Sequence, residues 1–537
     1  MESYARGPRS PLLAATIGEL LAATAERVPG ALALVSRHQN QRFTYAQLLA
    51  AVDRTAGGLI DLGLVPGDRI GVWSTNCVEW ILLQLGAARA GIVLVNVNPA
   101  YRSHELGYVL RKSAMKALFL WPEDARSNYR QILDEARPGN DAALRHAIDF
   151  DGEPWRRLRA SGTRPDAPID PHDVANIQYT SGTTGSPKGV LLTHHNLVNN
   201  GALFAAGLRY TEADRVCVPV PLYHCFGCVI GVIASVAAGA AVVLPAAGFD
   251  AGATLAAVAE ERATSIYGVP TMFIAELAHP GFAAFDLTSL RTGVMAGAPC
   301  PIEVMKRVLT EMHCPEITIA YGQTETSPGL TLSAVDDEVE RRVSTVGTAM
   351  PNTELKIVCT ETGHTLDRGL QGEICGRGYM IMKGYDQEPE ATARTIDAHG
   401  WLRTGDLGVM RPDGYIRVTG RAKDLVIRGG ENVYPREVEE FLYTHPAIAE
   451  VQVVGLPDER LGETLVAWVR LRQGHDNDED EIRTFCRGKI AHFKIPEFVR
   501  IVDSFPMTVT GKVQKFRIRE IEIEERGRQR AAGIETA

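Results

Sequence analysis

Small and hydroxyl-bearing residues dominate one eleven-residue segment, 179–189, which carries a single cation, Lys188. Glycine lets the backbone approach a ligand closely, and successive N–H groups form an anion-binding nest, so the segment predicts a loop around a polyanion. It differs from the Gly-Lys-Ser/Thr phosphate loop that opens a helix, because Pro187 precedes the lysine and the apolar run 190–192 follows it. We expect that run to be a strand, with Thr193 capping the next helix. The segment therefore predicts a phosphate-binding loop between two strands.

Size and composition limit the classes of protein that this chain can represent. At 537 residues it exceeds a single hydrophobic core and predicts a large body with at least one further domain. A net charge of −9 argues against nucleic acid as a partner, and a run of about 18 apolar residues, which a membrane span needs, is missing. Nine scattered cysteines fit a reducing compartment, and residues 1–11 lack the apolar core of a secretion signal. We therefore expect a cytoplasmic protein without a transmembrane segment.

Strand-like and helix-like patterns alternate through the first 320 residues, which predicts parallel sheets covered by helices. The predicted strands lie at 69–73, 92–97, 116–121, 240–244, 264–269, 291–296 and 316–319, with a helix at 77–89. Residues 137–173 are richer in Arg, Asp, Pro and Gly and predict a surface connection into the phosphate loop. Because ligands of open α/β sheets bind beyond the carboxyl ends of the strands, we look for the chemistry in the turns that follow them.

The last part of the chain changes character. Residues 346–420 combine short strands with many glycines and predict a β-rich subdomain. A smaller α+β pattern follows, with a helix at 436–445 and strands at 450–456 and 464–471. The tail, 517–530, mixes both charges densely and predicts a solvated helix.

Residues 177–188 resemble the phosphate-loop signature of the adenylate-forming superfamily, which includes acyl-CoA synthetases, peptide-synthetase adenylation domains and firefly-type luciferases. Further motifs of that superfamily follow in order at 321–325, 401–406, 420–424 and 506–512. The resemblance covers about residues 12–515. It is strongest to fatty acyl-CoA synthetases for medium- or long-chain acids, particularly the type called acyl-CoA synthetase family member 2.

The resemblance implies an α/β fold with a large N-terminal domain, made of stacked α/β sheets and the β-rich subdomain, and a small α+β C-terminal domain. It places the large domain at 1–421 and the small, mobile domain at 424–537, with a hinge at about 422–424. Lys423 stands at the hinge position of the family. The small domain is implied to rotate between the two halves of the reaction.

The resemblance also implies an ATP or AMP site assembled from several motifs. Its residues are Thr180, Ser181, Gly182, Thr183, Thr184, Gly185, Ser186, Pro187, Lys188, Gly297, Ala298, Pro299, Tyr321, Gly322, Gln323, Thr324, Asp406, Arg421 and Lys512. Among them, Tyr321 is implied to stack on adenine and Thr324 to bond the α-phosphate. Asp406 resembles the carboxylate that accepts both ribose hydroxyls, and Arg421 a further ribose or phosphate contact.

Catalysis is implied to rest on Lys512, Thr184, Glu325 and His224. Lys512, in the C-terminal motif, would reach both the substrate carboxylate and the α-phosphate as negative charge builds there. Glu325 and Thr184 would hold Mg²⁺, which as a hard cation prefers such oxygen ligands. His224 would close the acyl pocket.

The acyl group is implied to lie against His224, Phe226 and Gly322, with Gly322 leaving room for the acyl carbonyl. Adenylation domains for amino acids carry an aspartate at about position 225 to pair with the substrate ammonium, since a buried cation needs a partner. Cys225 offers no such charge, so we expect a plain carboxylic acid as substrate. We interpret Cys225 and Cys228 as core cysteines.

The resemblance implies an acyl-CoA synthetase that uses ATP, Mg²⁺ and CoA, forms an acyl-adenylate with release of pyrophosphate, and transfers the acyl group to CoA with release of AMP. The loop with Gly429, Gly430 and Glu431 would contact CoA. Three alternatives stay open: an acyl-AMP ligase that loads a carrier protein, a CoA ligase for an aryl or other carboxylate, and a non-catalytic nucleotide-binding protein. A homodimer is also possible.

Overall fold

A computed structural model describes residues 1–124, 127–137, 143–180, 187–298, 300–421, 424–429, 431–458, 460–487, 489–508 and 511–527. In these ranges the chain forms two large mixed sheets, an antiparallel sheet and a small C-terminal α+β domain. The predicted α/β class is confirmed.

The elements of the first 210 residues alternate mainly between strand and helix. They are β1 (Tyr4–Arg6), α1 (Ile17–Arg27), β2 (Leu32–Ser36), β3 (Gln41–Thr44), α2 (Tyr45–Asp61), β4 (Arg69–Trp73), α3 (Val78–Arg89), β5 (Val93–Val97), α4 (Ser103–Ser113), β6 (Ala117–Leu120), α5 (Tyr129–Ala136), β7 (His146–Asp149), α6 (Glu153–Leu158), β8 (Val174–Thr180), β9 (Lys188–Thr193) and α7 (His194–Gly207).

The same alternation continues up to about residue 345. The elements are β10 (Arg215–Cys217), a π-helix (Phe226–Ile233), α8 (Ala234–Ala238), β11 (Ala241–Leu244), α9 (Ala251–Glu261), β12 (Ser265–Gly268), α10 (Pro270–Leu277), β13 (Thr292–Met295), α11 (Ile302–Glu311), β14 (Glu316–Gly322), β15 (Gly329–Leu332) and α12 (Val339–Ser344). Short 3-10 turns lie at Phe282–Ala284 and Thr324–Thr326.

Strands prevail in the remainder of the chain. The elements are β16 (Thr348–Ala349), β17 (Thr353–Val358), β18 (Gln371–Gly378), β19 (Gly384–Tyr385), α13 (Pro389–Thr395), β20 (Leu402–Met410), β21 (Ile416–Arg421), β22 (Val426–Arg428), β23 (Glu431–Val433), α14 (Pro435–Tyr443), β24 (Ile448–Asp458), β25 (Gly462–Leu471), α15 (Glu479–Cys486), a 3-10 turn (His492–Lys494), β26 (Phe498–Ile501) and α16 (Lys515–Glu525).

Four sheets organise the described strands. The first has the order β19-β9-β8-β5-β4-β6-β7, and the second β16-β15-β14-β13-β12-β10-β11-β2-β3. Their central strands run parallel. The β19-β9-β8 side of the first sheet and both edges of the second pair antiparallel, whereas the other edge strand of the first sheet, β7, pairs parallel with β6. The third sheet, β1-β17-β18-β20-β21, confirms the expected β-rich subdomain, and the fourth, β23-β22-β25-β24 with β26 beside β25, belongs to the small domain.

One apolar cluster joins the two large sheets. Val72 and Leu94 of the first sheet belong to the same buried cluster as Val242 and Tyr267 of the second. Helix α3 lies within this cluster, and all of its residues except the last are buried. A helix that is buried on all sides lies in the interior of a domain, and α3 packs there against α1, α2 and β5. The loops that leave the two sheets are therefore held rigidly relative to each other.

The phosphate loop is flanked as predicted. Strands β8 and β9 pair antiparallel, with Thr180 opposite Lys188. The Thr193 side chain accepts the N–H of Asn196 and forms a capping box at the start of α7. Residues 181–186 themselves lie outside the described part of the chain.

Two expectations about exposed segments were wrong. The stretch 137–173 contains β7 and α6, and Trp155 of α6 is buried against Phe119 and Phe150 at ring distances of 5.9 and 5.1 Å. Because most residues around Trp155 are polar, the sequence pattern did not indicate this short amphipathic helix.

The C-terminal helix α16 is also not simply solvated. Ile518 and Glu522 are fully buried, and Oε1 of Glu522 accepts a hydrogen bond of 2.6 Å from Nε1 of Trp468. Because Trp468 lies 54 residues away in the sequence, the local charge pattern gave no sign of this contact.

Candidate active site

Lys512 lies where loops of the large domain meet the C-terminal domain. The Thr271 hydroxyl, at the start of α10, donates a hydrogen bond of 2.7 Å to the carbonyl oxygen of Gly511. Gly511 has φ +76°, and a Cβ atom there would lie 3.0 Å from Val269 Cγ2. A β-carbon is therefore disfavoured both by the backbone conformation and by the neighbouring valine. The loop that contains Gly511 and Lys512, called the lysine loop below, is therefore docked against the segment that follows β12.

The Lys512 backbone is held by its own turn. Its carbonyl accepts the N–H of Thr508 at 2.7 Å, and its N–H donates to Oγ1 of Thr508 at 3.0 Å. The side chain extends along Gly297, where a Cβ atom would lie 3.3 Å from Lys512 Cε. Gly297 has φ +85°, which favours glycine in any case. Burial lowers the pKa of Lys512, and the nearby charge of Arg421 lowers it further.

His224, in the loop between β10 and the π-helix, lies close to Lys512. Its Nδ1 accepts the N–H of Phe226 at 3.2 Å, so the ring proton is carried by Nε2. Burial lowers the pKa of His224 to about 3, with the positive charge of Lys512 as a second cause. The imidazole therefore stays neutral at physiological pH and part of its surface remains open to the site.

Cys225 and Phe226 follow His224 in the chain and are both buried. The buried Cys225 thiol lies 3.9 Å from Oγ1 of Thr324, and burial raises its pKa to about 12. Phe226 is buried and stacks on Tyr267 at a ring distance of 5.5 Å. Cys225 is thus neutral, and Cys228 is a second buried free cysteine, as expected for core residues.

Tyr321, Asp406 and Arg421 form one hydrogen-bonded group. The Tyr321 hydroxyl donates to Oδ2 of Asp406 at 2.9 Å, and Nε of Arg421 donates to Oδ1 at 3.1 Å. Asp406 and Arg421 are direct partners across β20 and β21. Burial raises the pKa of Asp406, while the charge of Arg421 opposes that shift. Residues 85 apart in sequence therefore present one polar surface beside Lys512.

Packing requires a glycine at position 322, between Tyr321 and Gln323. A Cβ atom at this position would lie 1.8 Å from the carbonyl oxygen of Pro328. The Gln323 N–H donates to Oγ1 of Thr326 at 3.0 Å, which closes the short turn that carries Thr324. The role of Gly322 beside the acyl carbonyl stays a prediction.

Glu325 contacts a residue that the sequence motifs did not indicate. It is buried, and Oε1 accepts a hydrogen bond of 2.9 Å from the hydroxyl of Tyr385. Burial raises the pKa of Glu325, and the Tyr385 bond and the charge of Lys188 oppose the shift. The ammonium of Lys188 lies 4.9 Å from the centroid of the Tyr385 ring. No local signal marked Tyr385, because its partners are distant in sequence.

The Glu325 site fits a magnesium ion that phosphates help to bind. In the ranges that the structure describes, no group of three or more His, Cys, Asp or Glu side chains is arranged to hold a metal. Mg²⁺ commonly takes only one or two carboxylates, with the remaining ligands from substrate phosphates and water. A buried carboxylate beside the end of the phosphate loop matches that pattern.

Several predicted site residues lie outside the described part of the chain. They are Ser181, Gly182, Thr183, Thr184, Gly185, Ser186, Pro299, Lys423 and Gly430. At the edge of this gap, the carbonyl of Pro187 accepts a hydrogen bond of 3.0 Å from the Tyr108 hydroxyl. Ala298 adjoins Gly297, with its carbonyl 3.5 Å from the Cys300 thiol.

Two residues of the predicted CoA loop lie at the surface of the small domain. Gly429 and Glu431 are exposed, and the Gly429 N–H donates to the Leu461 carbonyl of the same domain at 2.7 Å. Gly511, next to Lys512, is therefore bonded to the large domain, whereas Gly429 is bonded within the small domain.

A cavity of about 490 Å³ opens between the domains next to the lysine loop. Its large-domain wall includes Tyr223, Phe249 and Met272, and its small-domain wall includes Arg470 and Phe505. Because Tyr223 precedes His224 in the chain, the cavity borders the loop that carries His224.

The comparisons with known proteins agree with this geometry. The family profile described as AMP-binding enzyme matches residues 21–386, and the profile described as AMP-binding enzyme C-terminal domain matches residues 437–512. The chain therefore belongs to the family of AMP-binding enzymes.

Within that family the chain is an AMP-forming acyl-CoA synthetase, by its relatives. It is 47% identical over 539 residues to the putative acyl-CoA synthetase YngI of Bacillus subtilis (strain 168), covering 96% of this chain and 98% of that protein. It is 43% identical to the mitochondrial medium-chain acyl-CoA ligase ACSF2 of Bos taurus, covering 94% and 87% of the two chains.

Solved structures lead to the same class. The anthranilate CoA ligase AuaEII in complex with anthranoyl-AMP superposes with a TM-score of 0.88 at 27% identity, covering 95% of this chain and 98% of the other. A Mycobacterium tuberculosis fatty acyl CoA synthetase has a TM-score of 0.73 at 31% identity, covering 95% and 99%. The predicted superfamily and ligase activity are confirmed. No helix within the described ranges combines the length and apolar character that crossing a membrane requires.

Proposed function

We propose that this acyl-CoA synthetase activates a medium- or long-chain fatty acid, with Mg²⁺ as the metal and CoA as the acyl acceptor. The observation that carries the substrate class is the neutral, buried Cys225 beside His224 and Thr324. An amino-acid substrate would bring an ammonium group that needs a buried anion at this place. The alternatives, loading of a carrier protein or activation of an aryl acid, become outcomes of the test below.

In the first half-reaction, a carboxylate oxygen of the acid attacks the α-phosphorus of ATP. The new P–O bond forms as the bond to the β-phosphate bridging oxygen breaks, and pyrophosphate leaves. Lys512 lies close to His224 and Arg421, and it would neutralise charge on the carboxylate and the α-phosphate. A preorganised cation of this kind contributes about 3–4 kcal/mol to a transition state. Mg²⁺ at Glu325 and Thr184 would neutralise further phosphate charge.

The nucleotide is bound, in this proposal, by the group around Asp406. Its carboxylate would exchange the Tyr321 and Arg421 hydrogen bonds for the two ribose hydroxyls, freeing the Tyr321 ring to stack on adenine. Thr324 would donate to the α-phosphate. Neutral His224 would position the acyl group without adding charge.

In the second half-reaction, the CoA thiol releases its proton to solvent and its sulfur attacks the acyl carbonyl. The new C–S bond forms as the bond between the acyl carbon and the AMP oxygen breaks, and AMP leaves. We propose that the small domain, 424–537, first rotates about residues 422–424, with Lys423 as the pivot. This step is supported by the different surroundings of the two functional loops: Gly511, next to Lys512, is bonded to Thr271 of the large domain, whereas Gly429 and Glu431 are exposed. The interdomain cavity beside Tyr223 is a suitable approach for the thiol once the lysine loop withdraws. A cytoplasmic location and a homodimer stay predictions.

The test is a substrate survey with both products followed separately. Purified enzyme with ATP and Mg²⁺ is given saturated fatty acids of graded length, aryl acids and free amino acids, and pyrophosphate exchange and CoA thioester are both measured. We expect exchange and thioester with fatty acids and neither with amino acids. Exchange without thioester would favour a carrier-protein acceptor, and exchange with aryl acids alone would refute the fatty-acid assignment.

A further inference from the structure

Two functional groups of the active site converge on Tyr385, which no sequence motif assigned. Its ring lies under the Lys188 ammonium at 4.9 Å, and its hydroxyl donates to Oε1 of Glu325 at 2.9 Å. Lys188 ends the phosphate loop, and Glu325 is the proposed metal ligand. One side chain thus contacts the cation on one side of the triphosphate site and the carboxylate on the other.

The backbone of Tyr385 is attached to the strand that leaves the phosphate loop. Strand β19 pairs antiparallel with β9, so that Tyr385 lies opposite Val190. The next N–H, that of Asp386, donates to the Gly189 carbonyl at 2.7 Å. On its other side, the Tyr385 N–H donates to Oγ1 of Thr392 at 2.9 Å. The ring is therefore held in a defined place relative to Lys188.

A buried ion pair anchors this segment to the first large sheet. Asp386 is buried, and its two oxygens accept hydrogen bonds of 2.9 and 2.8 Å from Nη2 and Nη1 of Arg69 on β4. Lys112 forms a second ion pair with Glu388 at 2.9 Å. Bidentate arginine–carboxylate pairs fix geometry more strictly than single contacts. Such anchoring exceeds what a surface turn needs and gives Tyr385 little freedom to move.

We propose that Tyr385 is a positioning residue for nucleotide activation, which holds Glu325 in the orientation that receives Mg²⁺ and keeps Lys188 directed at the phosphates. The inference rests on the proposed ATP–Mg²⁺ site. An unrestrained glutamate rotates its carboxylate, and ordering it costs free energy when a ligand binds. The tyrosine hydroxyl occupies Oε1 beforehand and leaves Oε2 to the cation. Tyr385 itself makes no contact with a reacting atom in this proposal.

The two contacts of Tyr385 can be removed separately. Tyr385→Phe keeps the ring under Lys188 and deletes the bond to Glu325, whereas Tyr385→Leu deletes both. The direct readout is binding of Mn²⁺, detected by electron paramagnetic resonance, in the presence of α,β-methylene ATP, which the enzyme cannot cleave. We expect Tyr385→Phe to weaken Mn²⁺ binding about tenfold, as for a lost hydrogen bond to a charged group. Metal-free binding of the analogue should not change.

Tyr385→Leu should also weaken metal-free binding of the analogue, roughly two- to fivefold, because the lysine loses its aromatic contact. In steady-state assays Tyr385→Phe should raise the KM for magnesium–ATP. The KM for the fatty acid and the rate of thioester formation from supplied acyl-adenylate should stay at the wild-type values. A variant that merely loosened the fold would change all of these together.

Tyr4→Phe is the matched control. Its hydroxyl also donates to a glutamate, Oε2 of Glu354 at 2.5 Å, but on the exposed edge of the β-rich sheet. Mn²⁺ binding by this variant should equal that of the wild type. If Tyr385→Phe does not fold, 3-fluorotyrosine at position 385 keeps the ring and makes the hydroxyl a stronger donor. Mn²⁺ binding should then be at least as tight as in the wild type.

The outcomes separate this inference from the proposed function. Failure of the wild type to bind Mn²⁺ with the ATP analogue would refute the metal site and with it the role of Tyr385. Normal binding by the wild type and equal binding by Tyr385→Phe would refute the role of Tyr385 alone. If Tyr385→Phe does not fold, Mn²⁺ binding weaker than wild type in the fluorotyrosine protein would refute it as well.

Discussion

Docking of the lysine loop onto the large domain gives a quantitative prediction for Thr271→Val. The Thr271 hydroxyl donates to the Gly511 carbonyl at 2.7 Å, and valine keeps the shape of the side chain while removing the donor. Thr271 is 240 residues from Gly511 in the sequence and contacts the loop in the orientation that brings Lys512 close to His224. The bond therefore stabilises that orientation selectively.

The size of the effect follows from the type of bond. A single neutral hydrogen bond contributes about 0.5–1.5 kcal/mol net, and the bond between Thr271 and Gly511 is partly buried. Since about 1.4 kcal/mol is a factor of ten, the population with Lys512 docked should fall roughly two- to twelvefold relative to other orientations. Adenylate formation should slow accordingly, to the extent that docking limits its rate.

The assay is a pair of single-turnover rates on purified Thr271→Val. Adenylation is followed as pyrophosphate release from ATP and fatty acid, and thioester formation is started from supplied acyl-adenylate and CoA. We expect the first rate to fall and the second to remain equal or to rise, because the small domain leaves the docked state more easily. Thr310→Val, which removes a helix-internal hydroxyl bond to the Lys306 carbonyl, is the control and should change neither rate. Equal slowing of both half-reactions would refute the docking argument.

Three further predictions test the remaining parts of the site and fold. Lys512→Ala should lower the rate of adenylation by about two to three orders of magnitude, because one preorganised charge contributes about 3–4 kcal/mol, and should still convert supplied acyl-adenylate to thioester. Gly430→Leu should keep adenylation and lose thioester formation. Loss of the same half-reaction in both variants would contradict this division. Lys423→Pro, which holds φ near −65°, should preserve one half-reaction and lose most of the other, and two wild-type rates would show that the pivot lies elsewhere. Glu522→Ala should destabilise the small domain by about 3 kcal/mol, because Arg500 and Arg526 lose a buried carboxylate partner. The exposed pair of Glu520 with Arg517 provides the control, for which Glu520→Ala should cost less than about 1 kcal/mol in urea unfolding followed by tryptophan fluorescence.

The sequence alone was sufficient for the elements and motifs whose signal is local. Strand β4 lies where the apolar run predicted it, and helix α3 begins within one residue of its prediction. Thr193 caps α7 because a capping residue acts on the turn that directly follows it. The neutral residue at Cys225 could be read directly, since the identity of a side chain does not depend on the fold.

The tertiary structure decided everything that depends on partners far apart in sequence. It showed that Tyr385 contacts Glu325 across 60 residues and that Thr271 holds Gly511 across 240. It gave Gly322 a packing reason in the Pro328 carbonyl. It also brought Lys512 close to His224 and Arg421. Periodicity and motif spacing report on neighbours along the chain, whereas these contacts arise only when separate sheets and domains pack, so only the folded chain could reveal them.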